Sequence, residues 1–198
     1  MTDLAISILT GRQILPLLSD LACLRIEVFK EYPYLYDGSA SYEETYLKSY
    51  AECPESLVVA AFYGDMLVGA STGLPMEDAA DEFKHPFEKQ GFDIAKIFYF
   101  GESVMKKTFR GTGIYARFFE AREGYARSLN RFDRVCFCAV ERPEDHPEKP
   151  FGYRPLDAYW EKRGYTKHLE LATQFLWKDL GEAAESFKPM VFWLKQIR

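Results

Sequence analysis

Apolar residues along the chain recur with two periods. Leu17, Leu21, Leu24 and Val28 are spaced four, three and four apart, which gathers them on one face of a helix. Pro16 suits the first turn of that helix, and Pro33 ends it. Ser41-Tyr42-Glu43-Glu44 has the form of a capping box and opens a second helix that runs to Cys53-Pro54. Residues 57–62 and 66–74 are apolar runs on either side of Tyr63-Gly64-Asp65, a hairpin pattern. Residues 5–9, 94–105, 134–140, 169–177 and 190–197 read as further strands. Ile114, Phe118, Ala121, Tyr125 and Leu129 recur every three or four residues, a helix closed by Asn130. Residues 156–163 form a short helix stopped by Gly164. The polar stretch 75–93 is a long excursion with a helical turn or two, and 141–155, with four prolines, is loop.

The strand-helix-strand order in the middle predicts a right-handed parallel crossover, and the remaining neighbours are hairpin-like. The expected class is α/β, with a mixed, mostly antiparallel central sheet and one β-α-β parallel crossover. A chain of 198 residues without internal repeats or low-complexity linkers is expected to form a single domain, 1–198.

Composition narrows the function. A net charge of −5 lacks the basic stripe of a nucleic-acid binder and weakly favours a cationic substrate. The 16% aromatic share suits both core and ligand walls. Cys23, Cys53, Cys136 and Cys138 form no CxxC and no metal-spaced cluster, so free thiols and no metal are expected. Cys136 and Cys138 flank one residue of a strand and share a face. The start has no basic signal region, and no apolar run reaches the ~18 residues of a membrane span, so a cytoplasmic protein is expected.

Arg110-Gly111-Thr112-Gly113 lies between a strand and a helix. Glycines there let the chain turn tightly, and helix N-terminal N–H groups beside an arginine bind phosphate oxygens. The Walker pattern is absent and the third glycine of a dinucleotide fingerprint is missing. The residues alone leave an anion site and a plain tight turn both open.

The arrangement resembles the GNAT (Gcn5-related N-acetyltransferase) family, whose signature at this junction is [RQ]xxGx[GA]. Arg110 and Gly113 match its first two fixed positions, and Tyr115 stands where Gly or Ala is usual. Tyr159-Trp160-Glu161-Lys162-Arg163-Gly164-Tyr165 is similar to the family's FYEKxGF segment. The resemblance spans residues 5–197 and implies an acyl-CoA N-acyltransferase (GNAT-like) fold. It also implies transfer from acetyl-CoA, as acyl-donor co-substrate, to the amine of a small molecule by direct attack on the thioester. Ser103, Val104 and Met105 would then supply backbone contacts to pantetheine and the oxyanion donor. The N–H groups of Gly111, Thr112, Gly113, Ile114 and Tyr115, with Arg110, would hold the pyrophosphate.

On the same resemblance Glu102 is the candidate base and Glu141 the second. Glu102 either faces the active-site groove or sits on an exposed strand face. Trp160 replaces the tyrosine often used as acid, and its neighbour Tyr159 is the candidate donor in its place. Glu31, Tyr32, Tyr34 and Tyr36, with Asp37, would cover the acceptor. Three tyrosines at alternate positions of an extended segment point one way and suit a cationic amine, or else pack as a loop against the sheet. The loop 142–147 would cap the pocket, with His146 as a base or as a solvated side chain. Two other functions stay open: a non-catalytic acyl-CoA sensor or interaction module, and acetylation of a protein lysine or N-terminus. The apolar final strand (Val191, Phe192, Trp193, Leu194) serves either a homodimer sheet or the core.

Overall fold

The computed structural model describes residues 4–198. In chain order the elements are β1 (Leu4–Leu9), a 3-10 segment (Gly11–Leu17), α1 (Leu18–Phe29), α2 (Ala40–Glu52), β2 (Leu57–Tyr63) and β3 (Met66–Pro75). There follow α3 (Asp81–Lys89), β4 (Ile97–Tyr99), β5 (Ser103–Met105), α4 (Ile114–Ser128), β6 (Arg134–Val140), α5 (Asp157–Lys162), β7 (Thr166–Trp177) and β8 (Ser186–Gln196). The sheet has the order β1-β2-β3-β4-β6-β8-β7, with β5 also on β3. Among the described residues only β4 and β6 pair parallel, across α4. The class is therefore mixed α/β with a mostly antiparallel sheet.

The alternation of strand residues builds one core on each face of the sheet. On one face, Leu21, Tyr50 and Phe87 of α1, α2 and α3 pack with Cys136, Cys138 and Phe192. On the other, Ile114 and Phe118 of α4 and Trp160 of α5 pack with Phe98, Phe137 and Trp193. Each such large side chain contributes about 1.5–3 kcal/mol by leaving water. β8 lies between β6 and β7, so Phe192 and Leu194 serve the first of these cores and Trp193 the second.

Four local expectations change. The second helix starts at Ala40, and Ser39 rather than Ser41 caps it, accepting the Tyr42 N–H at 3.4 Å. Pro16 sits in the 3-10 segment that precedes α1. The excursion after β3 contains a nine-residue helix, because Phe83 and Phe87, four apart, both bury on the sheet. The long strand expected over 94–105 is divided into a 3-10 turn, β4 and β5, with Phe100, Gly101 and Glu102 between the two strands.

Candidate active site

The division of that strand creates the site. β4 pairs with β6 as far as Tyr99 and Cys136, and the Phe100 N–H adds one bond to the Cys136 carbonyl at 2.7 Å. Beyond this point β5 stays on β3, while β6 continues along β8 to Val140. Gly101 and Glu102 both oppose Thr72: the Gly101 N–H donates to its carbonyl and the Glu102 N–H to its Oγ1, each at 3.2 Å. Two residues against one bend the strand away from β6. The bend needs glycine, since a Cβ at Gly101 would lie 2.2 Å from Tyr50 Oη. The gap between the strands is a cavity of about 450 Å³, with residues 101–103 on one side and 137–141 on the other.

The Thr72 N–H reaches the Glu102 carbonyl at 3.0 Å, and the Lys106 N–H reaches Val68 at 2.9 Å. Antiparallel alternation then turns the backbone groups of Ser103 and Met105 away from β3 and towards the gap. Val104 differs from the expectation: the same alternation commits its backbone to β3, and its side chain is buried.

At the mouth, Gly111 and Gly113 have φ of 79° and 82°, which glycine adopts without strain. Among the described residues no N–H from Gly111 to Tyr115 donates a hydrogen bond. These five donors stand at the positive end of α4, where Gly111, Thr112 and Gly113 are exposed, Tyr115 is partly buried and Ile114 is buried. Arg110 lies beside them. Its guanidinium donates to the Met105 carbonyl and forms a two-point pair with Glu31, both bonds 2.8 Å. Glu31 is thus held at the mouth by Arg110, away from both cavities.

The two positions that depart from the family pattern touch each other. The Trp160 indole N–H donates to Tyr115 Oη at 3.1 Å, and both residues line the gap. Burial raises the Tyr115 phenol above its ordinary value, against the opposing pull of the Trp160 bond. Tyr159, the expected acid, lines neither cavity, and its Oη accepts from Arg163 Nε at 2.8 Å. Its position on α5 turns it one residue away from Trp160, onto the outer side of the aromatic cluster.

On the α1–α2 face the gap continues into a second cavity of about 500 Å³, and Gly101 and Glu102 line both. Glu102 does not sit on an exposed strand face: it is 6% exposed and pairs with Arg25 at 2.6 Å. Arg25 also pairs with Glu43, which is fully buried. Burial lowers the Arg25 pKa, but Glu102, Tyr46 and Glu43 outweigh it and raise the group well above its ordinary value. Two carboxylates around one guanidinium leave one negative charge. One oxygen of each carboxylate, Oε1, has no hydrogen-bond partner among the described residues.

The segment 31–37 is a turn rather than an extended strip, with a cis Tyr32–Pro33 bond and Leu35 at φ 54°. Its tyrosines therefore diverge. Tyr32 lines the gap and meets Tyr153 edge-on at 4.7 Å, Tyr34 lies in the wall shared by both cavities, and Tyr36 lines the second cavity. Arg142 fixes this turn: it donates to the carbonyls of Pro33 and Tyr34 and forms two bonds with Asp179, at 2.7 and 2.9 Å. Glu141 lines the gap but is paired with Lys167. His146 is partly buried, stands 5.7 Å from the Tyr32 ring, and its Nδ1 accepts the Glu148 N–H. The loop residues Glu144, Lys149 and Tyr153 do cover the gap.

Arg25, Glu43, Arg122 and Arg142 are site residues that periodicity does not reveal. A charged residue inside an apolar helical face, as Arg25 is between Leu24 and Val28, was the available signal. Among the described residues no three metal-ligating side chains cluster, and no helix is long and apolar enough to cross a membrane.

No family model and no curated protein matches the chain. Solved structures do. An acetyltransferase of the GNAT family from Streptococcus pneumoniae is 14% identical, with a TM-score of 0.59 over 99% of this chain and 100% of that one. A ribosomal-protein-alanine N-acetyltransferase from Brucella melitensis is 13% identical, with a TM-score of 0.60 over 97% and 99%. An aminoglycoside 6'-N-acetyltransferase complexed with coenzyme A is 17% identical, with a TM-score of 0.59 over 98% and 97%. The chain therefore has the fold of these GNAT acetyltransferases.

Proposed function

We propose that the protein is an acyl-CoA-dependent N-acyltransferase that modifies the amine of a small cationic molecule. The observation that carries this reading is the row of undonated N–H groups from Gly111 to Tyr115 at the mouth of the strand gap. Free N–H groups at a helix N-terminus suit a pyrophosphate, and Arg110 supplies a fork of donors beside them. The bond between Arg110 and Glu31 then exchanges for one to phosphate. Backbone groups of Ser103 and Met105 hold the pantetheine arm by adding a strand edge, and an N–H there stabilises charge developing on the thioester oxygen.

The amine enters from the second cavity. Its walls of Tyr34, Tyr36, Tyr42 and Trp177 suit a cation, and the net negative charge of the Glu43–Arg25–Glu102 group draws it in. Glu102, lining both cavities, orients the nitrogen towards the thioester. The amine must shed its proton before attack, since a free alkylamine titrates near ~10. Tyr115 takes the acid role. Trp160 occupies the phenol oxygen as an acceptor, so the phenol's own proton remains available to the departing thiolate.

A titration of thermal stability with CoA and acetyl-CoA tests cofactor binding, which raises the midpoint by mass action. Thiol release with a panel of amines follows. Binding without amine-dependent release on any of them identifies an acyl-CoA sensor instead. Release with basic peptides but with no small amine identifies a protein acetyltransferase. Tyr115→Phe is expected to lower kcat about 10- to 100-fold with acetyl-CoA affinity retained. Unchanged kcat removes Tyr115 from the acid role.

A further inference from the structure

Arg122, on α4, is 2% exposed and lines the strand gap. No carboxylate pairs with it among the described residues. The two acidic groups that bear on its charge are spent elsewhere: Glu102 on Arg25 at 2.6 Å, and Glu123 on Lys195 at 2.8 Å and Arg127 at 3.1 Å. Among the described residues its hydrogen bonds run from Nη1 alone, to the carbonyls of Thr72 and Glu102 at 3.4 and 3.3 Å, and its buried Nε has no partner. Its guanidinium lies over the rings of Phe100 and Phe119, at 4.3 and 4.9 Å from their centroids. Burial is the main influence on its pKa and lowers it.

A buried cation without a counter-ion is costly, and two long bonds to neutral carbonyls compensate it poorly. The missing anion must come from outside, and the gap is its route. Arg122 lines the gap but not the amine-side cavity. It is on the same helix whose N-terminus offers the phosphate site. The ligand that reaches it is therefore the one lying along α4, the acyl donor.

We propose that Arg122 receives a carboxylate at the far end of the acyl chain, so that the preferred donor is a dicarboxylic acyl-CoA rather than acetyl-CoA. This inference rests on the acyltransferase reading above. In the transfer, the amine nitrogen bonds to the thioester carbonyl carbon and the C–S bond breaks. The ammonium gives up two protons, one to solvent and one that ends on the CoA thiol. The terminal carboxylate passes across unchanged, so a cationic amine becomes an anionic amide.

Calorimetry with CoA, acetyl-CoA, butyryl-CoA and succinyl-CoA tests it. Butyryl and succinyl chains have the same carbon count and differ by a methyl against a carboxylate. The wild-type chain is expected to bind succinyl-CoA at least ~10-fold more tightly than butyryl-CoA, as charge-assisted hydrogen bonds allow. Arg122→Met is expected to erase or reverse that ratio, and Arg122→Lys to keep part of it. Equal wild-type affinities, with CoA itself bound, overturn the carboxylate assignment and leave Arg122 as a plug for the bulge carbonyls. If CoA binds in no form, the acyltransferase reading falls and takes this inference with it. Should Arg122→Met not fold, the wild-type ratio and Arg122→Lys decide the question.

Discussion

Two arginines are buried within the same site, and their surroundings are opposite. Arg25, on the α1–α2 face, stands between two carboxylates and the Tyr46 ring. Arg122, on the α4 face, has two aromatic rings, two carbonyls and, among the described residues, no carboxylate partner. The contrast extends to their halves of the site. Arg142 lines the gap, yet it too is matched, by Asp179, and it ties down the tyrosine turn. On the α4 side, five N–H groups from Gly111 to Tyr115 and the Arg122 Nε have no partner among the described residues. Charge that is matched internally belongs to the architecture. Charge left unmatched marks where a ligand completes it.

The sharpest test is stability. Arg25→Met strands two buried carboxylates and is expected to cost about 3–5 kcal/mol in urea unfolding. Arg122→Met removes a buried charge that has no ionic partner, and is expected to change stability by less than about 1 kcal/mol. Equal losses would break the contrast.

Next comes the mouth of the gap. Arg110→Ala is expected to weaken CoA binding about 10-fold or more by calorimetry, through lost charge-assisted bonds. Glu31→Gln frees Arg110 from a half-exposed pair and is expected to tighten binding by up to about 5-fold. Weaker binding in Glu31→Gln would mean that Glu31 positions the arginine rather than competing for it.

A pH titration gives a broader, smaller effect. Burial raises the phenols of Tyr46, Tyr50 and Tyr99 on the α1–α2 face of the sheet and of Tyr165 on the other. The unfolded chain releases these protons near pH 10 while the folded chain keeps them, so the stabilisation is complete below that pH and declines above it. Melting temperature is expected to fall on going from pH 9 to 11, and a flat profile would contradict the burial. Finally, Cys53 and Cys138 are pushed up to about 11 and about 12 by burial, and Cys136 is raised too, while Cys23 is exposed. Mass spectrometry after brief alkylation of the native protein at pH 8 is expected to find Cys23 labelled far ahead of the other three.

The parts of this structure readable from sequence are those with a local cause. Helical spacing placed α1 and α4, and Tyr63-Gly64-Asp65 placed the β2–β3 turn. The Gly111-Thr112-Gly113 turn pointed to the α4 N-terminus because its positive φ angles need glycine. What was hidden depends on partners far apart in the chain. Glu43 looked like part of a helix cap, yet it faces inward because Arg25 lies across from it. The tyrosines of the 31–37 segment looked parallel, but the turn held by Arg142 spreads them over two cavities. Sequence pointed to Tyr159 as the donor and to Tyr115 only for its backbone N–H, and the packing of α5 against α4 instead left the Tyr115 phenol in the gap and Tyr159 outside it.

Gly101 also limits how a lineage carrying this site can drift. A side chain there would collide with Tyr50 Oη, and with Thr72 Oγ1 at 2.5 Å. A larger residue at 101 is tolerable only in a background where position 50 has already shrunk, for example Tyr50→Phe with further repacking. The reverse order passes through a chain whose strand cannot bend and whose gap cannot open. Substitutions at these two positions should therefore accumulate in a fixed sequence, with position 50 first.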